Sequence, residues 1–275
     1  MARRPHHADD DRGGLPHRRG LLIGRLAGCR WHLALPAVLT LALAFQAGGF
    51  FPGTVGLAAA ALCVLLVLRV TLGRDPFGGW SPFLTVACGA LALFATWQLA
   101  SSSWSDSSER ALLEFDRTLL YLLVLAGAGS FAARDGDLAT ALRWVWLALL
   151  AVCVCSVATR LFPDSFSIAL SPNAQRLDFP LTYWNALGAL AMVGGVLALH
   201  LSASSGEAAV ARVAGAASLP VFATTLYFTF SRGSVAVAGI GLVAYLVLAR
   251  PRRLLTALVA ALPTAWAVRA DRKSV

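Results

Sequence analysis

Between Arg212 and Arg250 the chain carries a single charged residue, Arg232, in the run Thr229-Phe230-Ser231-Arg232-Gly233. Arg212 lies twenty positions before it and Arg250 eighteen after. At about 1.5 Å per helical residue those intervals span about 30 Å and about 27 Å, each close to one hydrocarbon thickness. The spacing predicts a tight helical hairpin with Arg212 and Arg250 at one membrane face and Arg232 alone at the other. Almost no residues are left for the turn.

The rest of the chain repeats this pattern. Apolar blocks fall near 32–51, 53–70, 82–100, 118–133, 138–158, 181–201, 212–230, 234–249 and 254–268. A chain 58% hydrophobic and only 13% charged is not an ordinary soluble domain. Ala, Gly and Ser recur inside the blocks, which suits close helix packing in lipid. No ten-residue alternating segments of the β-barrel kind occur. The expected fold is all-α, a polytopic transmembrane bundle of about 8–9 helices over residues 31–275. Residues 1–30 are expected to form a disordered, basic, cytoplasmic tail.

The net charge of +9 invites a nucleic-acid reading, and its distribution argues against one. Seven arginines fall within the first thirty residues, and Arg250, Arg252 and Arg253 form a second cluster. Basic clusters beside apolar spans are topology signals. Arg18-Arg19 before Gly20-Leu21-Leu22-Ile23-Gly24 hints at a twin-arginine signal, but Arg25 cuts the apolar run too short for a signal core. Cys29, Cys63, Cys88, Cys153 and Cys155 lack zinc spacing and a disulfide pattern, so no metal or cofactor is expected.

With the arginine-rich tail inside, the chain reads as a multi-pass cell-membrane protein whose odd-numbered spans run outward. The inner side then holds Arg69, Arg74, Arg134, Arg143, Arg212 and the Arg250 cluster. The outer side holds Gln46 to Gly53, Ser101 to Arg117, Arg160 to Pro180 and the Arg232 turn.

Three outer segments carry polar residues in a pattern. In the first, Trp104-Ser105-Asp106 leads into Arg110, Glu114, Arg117 and Tyr121, spaced to share one helix face. An interfacial helix with ion pairs explains Arg110; Arg117 sits at the mouth of a span. The second is Arg176-Leu177-Asp178-Phe179-Pro180-Leu181-Thr182-Tyr183-Trp184-Asn185-Ala186-Leu187-Gly188. Here Pro180 precedes a helix that Thr182 is expected to cap. Tyr183 and Trp184 suit an aromatic belt, whereas Asn185 needs a partner across helices or a ligand. The third is Ser231-Arg232-Gly233. It is open to two readings, a snorkelling arginine or a functional one.

In order and spacing these segments, from about Trp97 to Tyr245, resemble the O-antigen ligase and polymerase family of membrane glycosyltransferases. The resemblance implies a polyprenyl-pyrophosphate-linked glycan as partner, bound at the outer membrane face. Its glycan would pass to an acceptor hydroxyl without metal or nucleotide sugar. Arg232, Arg176 and Arg117 would bind the lipid pyrophosphate, with Tyr183, Asn185 and Ser231 lining the site. Family members are thought to use a histidine in a late outer loop as base. His6, His7, His17, His32 and His200 all fall in the tail or at inner ends, so the catalytic residue is unassigned. The chain is expected to be a truncated version of the family domain. Other readings of the sequence are a transporter or lipid flippase, and a non-catalytic scaffold of envelope assembly.

Overall fold

A computed structural model describes residues 31–72, 75–130, 136–166 and 176–249. Among these residues the fold is all-α, with eight α-helices and no strand. They are α1 (Leu35–Ala44), α2 (Pro52–Leu72), α3 (Pro82–Ser101), α4 (Ser108–Gly129), α5 (Asp137–Leu161), α6 (Trp184–Ala203), α7 (Ala209–Phe228) and α8 (Arg232–Ala249). The basic tail and the ninth apolar block, 254–268, lie outside the described residues.

Six helices, α2, α3 and α5 to α8, are long and apolar enough to cross a membrane. Their outward faces carry side chains no aqueous surface would favour: Phe83 is 89% exposed, and Leu57, Val210 and Leu248 are similarly bare. Exposed apolar area on this scale suits a bilayer as solvent. Helix α4 begins with Glu109, Arg110, Glu114, Asp116 and Arg117 and turns apolar only after Thr118. The expected span at 118–133 is therefore the second part of a longer helix whose first turns are charged.

The first apolar block departs from expectation. Residues 32–51 do not form one span: a 3-10 turn, Trp31–Ala34, leads into the ten-residue α1, which stops at Ala44. Ala47, Gly48 and Gly49 all take positive φ, at 53°, 69° and 73°. That backbone cannot continue a right-handed helix, and two glycines make it accessible. The bend carries Gly48 to Leu181, where a Cβ on Gly48 would stand 3.6 Å from the Leu181 carbonyl oxygen.

Helices α2, α3 and α4 pack as one group, with Val55, Ala59, Leu120 and Leu123 at its core. Helices α5, α6 and α7 form a second group around Trp146, Leu149, Cys153, Ala191, Ala198 and Phe222, with α1 against α5 and α8 against α6. Small residues set the spacing in the second group. A Cβ on Gly215 would lie 2.9 Å from the Ala198 carbonyl oxygen, and one on Gly194 would enter the Phe222 ring. Without a hydrophobic drive between helices in lipid, such close packing supplies the association energy.

The helix order places alternate connections at opposite ends. One end gathers 45–51, 102–107, 162–166, 176–183 and 229–231, joined by contacts such as Phe45 with Phe179 (6.2 Å between ring centroids) and Leu177 N–H donating to the Phe228 carbonyl (2.9 Å). At the other end Arg69 donates to the Ser130 and Asp75 carbonyls, at 3.2 and 2.9 Å. There too Arg143 grips Glu207 through two bonds of 3.0 Å.

Candidate functional site

Helix α7 ends at Phe228 and α8 starts at Arg232, so three residues make the hairpin turn. Thr229 and Phe230 N–H donate back to the Thr225 and Tyr227 carbonyls, at 3.1 Å each, and Phe230 takes φ +49°. A left-handed residue just past a helix C-terminus is the usual way to reverse a chain, and glycine usually supplies it. The buried Ser231 then opens α8: its Oγ accepts from Ser234 N–H at 3.2 Å, an N-cap bond.

Ser231 also looks outward from its own hairpin. Its hydroxyl donates to Asn185 Oδ1 at 2.8 Å, and the Asn185 amide donates to the Tyr183 hydroxyl at 2.8 Å. Ser234 Oγ lies 2.8 Å from Ser231 Oγ and 3.2 Å from the Asn185 carbonyl oxygen. The three expected lining residues, Tyr183, Asn185 and Ser231, therefore form one hydrogen-bonded chain, with Ser234 as a fourth member. Asn185 finds the cross-helix partner its amide needs at the start of an apolar helix. Gly188, one turn into α6, makes room: a Cβ there would meet Ser234 Oγ at 2.6 Å.

The start of α6 differs from expectation in one respect. Thr182 does not cap it. The Thr182 N–H closes a turn onto the Asp178 carbonyl at 2.8 Å, and the residue takes φ +62°, which holds it in the preceding loop. Extended Tyr183 occupies the cap position without a side-chain bond, and Leu187 N–H donates to its carbonyl at 3.1 Å. That arrangement frees the Tyr183 hydroxyl to meet Asn185.

The arginines fall into two places. Arg232 is exposed at the first position of α8, with no hydrogen bond or ion pair among the described residues. Arg176 is exposed with its guanidinium 4.9 Å from the Trp184 ring. Arg117 lies on α4 and pairs with Glu114 one turn earlier. It lines an open cavity of about 820 Å³ where α1, α2, α4 and the start of α6 meet, with Leu43, Phe50, Tyr121 and Tyr183. Arg232 and Arg176 thus border the Asn185–Ser231 network, whereas Arg117 faces the cavity. Tyr183 alone belongs to both.

Two helix N-termini, of α6 and α8, converge at the Asn185–Ser231 contact. Each presents unsatisfied N–H groups and a positive dipole end. Arg232 and Arg176 add two full charges beside them, so this spot favours an anion on general electrostatic grounds. Both described histidines lie elsewhere: His200 meets Tyr245 edge-on near the C-terminal end of α6, and His32 lines a groove with Arg69 and Ser130. Among the described residues no three His, Cys, Asp or Glu side chains converge as metal ligands would.

Ser234, and Arg160 with its guanidinium carbon 5.5 Å from the centre of the Phe228 ring, also lie at this end, and neither is among the sequence-predicted site residues. Ser234 was legible from its spacing three after Ser231, the cap-to-N3 interval. Compared with known proteins, the chain matches no family model, no curated protein and no solved structure.

Proposed function

We propose that this chain is an O-antigen-ligase-like membrane protein that binds a polyprenyl-pyrophosphate-linked glycan at the Arg232 end and transfers or polymerises that glycan. In this reading the Arg232 end faces outward and residues 1–30 are cytoplasmic. The observation that carries it is the convergence of two helix N-termini on the Asn185–Ser231 bond, flanked by Arg232 and Arg176 at a membrane boundary. A pyrophosphate diester carries its charge at that depth while its hydrocarbon stays in the bilayer. Planar guanidinium groups bind such oxygens in pairs. Held in place, they also stabilise the charge that grows on the pyrophosphate as the glycosyl bond breaks. Arg117, in the adjoining cavity beside Glu114 and Tyr183, is the third arginine of the proposed site.

A transporter reading gains nothing from the charges within the six apolar helices. These lie within about two turns of a helix end, whereas coupled transport uses ionisable groups near mid-membrane. The test of the ligase-like reading is binding and transfer of a polyprenyl-pyrophosphate glycan by the protein reconstituted in lipid. Arg232→Ala is expected to abolish binding while the protein stays folded, and Arg232→Lys to restore part of it. Wild-type binding by Arg232→Ala would reduce the arginine to a snorkelling boundary residue and overturn the site.

A further inference from the structure

We infer that the cavity between α1, α2, α4 and the start of α6 is a saccharide subsite, in which the Glu114–Arg117 pair bonds the hydroxyls of an uncharged sugar. This deepens the lipid-linked glycan reading above, on which it rests, by placing the first sugar and naming the residues that hold it.

The cavity exists because the first apolar block turns at Ala47-Gly48-Gly49, so that backbone rather than a continuing helix forms one wall. Its volume of about 820 Å³ is of the size that holds a small organic ligand. A series of contacts places it beside the arginines of the hairpin end. Arg176 stacks on Trp184 at 4.9 Å, the Trp184 and Tyr183 rings are 5.6 Å apart, and Tyr183 lines the cavity. The Tyr183 hydroxyl in turn meets Asn185, the partner of Ser231. A group joined to a diphosphate held by Arg176 and Arg232 therefore has this cavity next to it.

Charge decides what the cavity takes. Arg232 has no ion pair among the described residues, whereas Arg117 is already paired with Glu114. A second anion would gain little from a compensated arginine and would meet the Glu114 carboxylate as well. An uncharged polyhydroxylated ring meets no such penalty. The pair is open to a ligand, with the Arg117 and Glu114 side chains 38% and 47% exposed. Arg117 bonds Glu114 Oε1, and Oε2 has no hydrogen bond among the described residues, so it is left to accept from a ligand hydroxyl. The guanidinium has further N–H groups for a neighbouring hydroxyl oxygen, and adjacent hydroxyls thus find an acceptor and a donor side by side. Phe50, Tyr121 and Tyr183 add exposed aromatic surface, against which the C–H face of a sugar ring packs.

The test uses the 275-residue chain in neutral phosphatidylcholine nanodiscs, with farnesyl methyl diphosphate and farnesyl glucosyl diphosphate as probes in equilibrium binding. The two carry the same charge and differ only in the sugar. The wild type is expected to bind the glucosyl probe about tenfold or more tightly, the gain from charge-assisted contacts to the hydroxyls. Glu114→Gln should bring the glucosyl probe to within about threefold of the methyl probe without weakening the methyl probe. Tyr121→Ala removes an aromatic wall instead and is scored the same way if the glutamine variant does not fold. Equal wild-type affinity for the two probes, or a parallel loss of both in the folded variant, overturns the inference. Arg232→Ala run alongside separates the two claims. If it loses both probes while Glu114→Gln keeps the full preference for the glucosyl probe, only the saccharide subsite falls. If it keeps both probes while Glu114→Gln erases that preference, the subsite stands and the Arg232 anion site falls. If the wild type binds neither probe, the functional reading falls and the subsite with it.

Discussion

Asn185 and Ser231, 46 residues apart in sequence, share a 2.8 Å hydrogen bond that ties the first turn of α6 to the first turn of α8. Both are cap-region residues of apolar helices, and each also satisfies a second group. Ser231 accepts from the Ser234 N–H, and Asn185 donates to Tyr183. The bond makes the charged hairpin tip and the aromatic start of α6 one structure.

The coupling of this network is measurable. Asn185→Ala and Ser231→Ala are each expected to lower stability by about 1–2 kcal/mol, because each leaves a hydrogen-bond partner between two helix starts unsatisfied. The double variant should cost less than the sum of the two. A double-mutant cycle by thermal or denaturant unfolding in detergent checks this; strict additivity would mean the bond contributes nothing.

Helix packing in the second group gives a paired prediction. Gly194→Ala places a methyl in the Phe222 ring and is expected to destabilise by about 1–3 kcal/mol. Gly195→Ala, one residue on, meets only Phe222 Cβ at 3.8 Å, an ordinary contact. That substitution should be neutral or slightly stabilising, since alanine favours the helix by about 1 kcal/mol over glycine. Unfolding of the two variants side by side decides it, and equal effects would refute the close approach of α6 and α7.

At the opposite end, the Glu207 side chain is 8% exposed and held by Arg143 through Nε and a terminal nitrogen. Arg143→Ala strands that carboxylate and is expected to cost about 1–2 kcal/mol, less than a fully buried pair would, because the Arg143 side chain is itself 42% exposed. Joint replacement by Arg143→Leu and Glu207→Leu should recover most of the loss. An unfolding midpoint that Arg143→Ala leaves untouched would show the pair to be idle.

Orientation is tested by labelling. In a background without native cysteines, Ser103→Cys, in the exposed loop before α4, is expected to react with an impermeant thiol reagent added outside intact cells. Ser205→Cys, exposed in the α6–α7 connection, should react only after lysis. The reverse pattern would invert the proposed topology, although both ends of the bundle would keep their composition.

The sequence by itself determined the class of fold, because spans are an energetic matter of length and polarity. Twenty apolar residues between charges leave a chain few alternatives in lipid. The α7–α8 hairpin with Arg232 at its tip follows from charge spacing alone, and so does the need of Asn185 for a partner. What tertiary structure decided is which polar residues meet. That Asn185 bonds Ser231, that Arg117 faces a cavity beside Glu114, and that Arg160 stacks on Phe228 depend on helix rotation and loop path. So does the break in the first apolar block, where composition reads as a span and Ala47-Gly48-Gly49 turns instead. Hydropathy averages over a helix and is blind to its rotation, so it places residues at a depth in the membrane. Only the packing of small residues such as Gly188, Gly194 and Gly215 sets the rotation that chooses their neighbours.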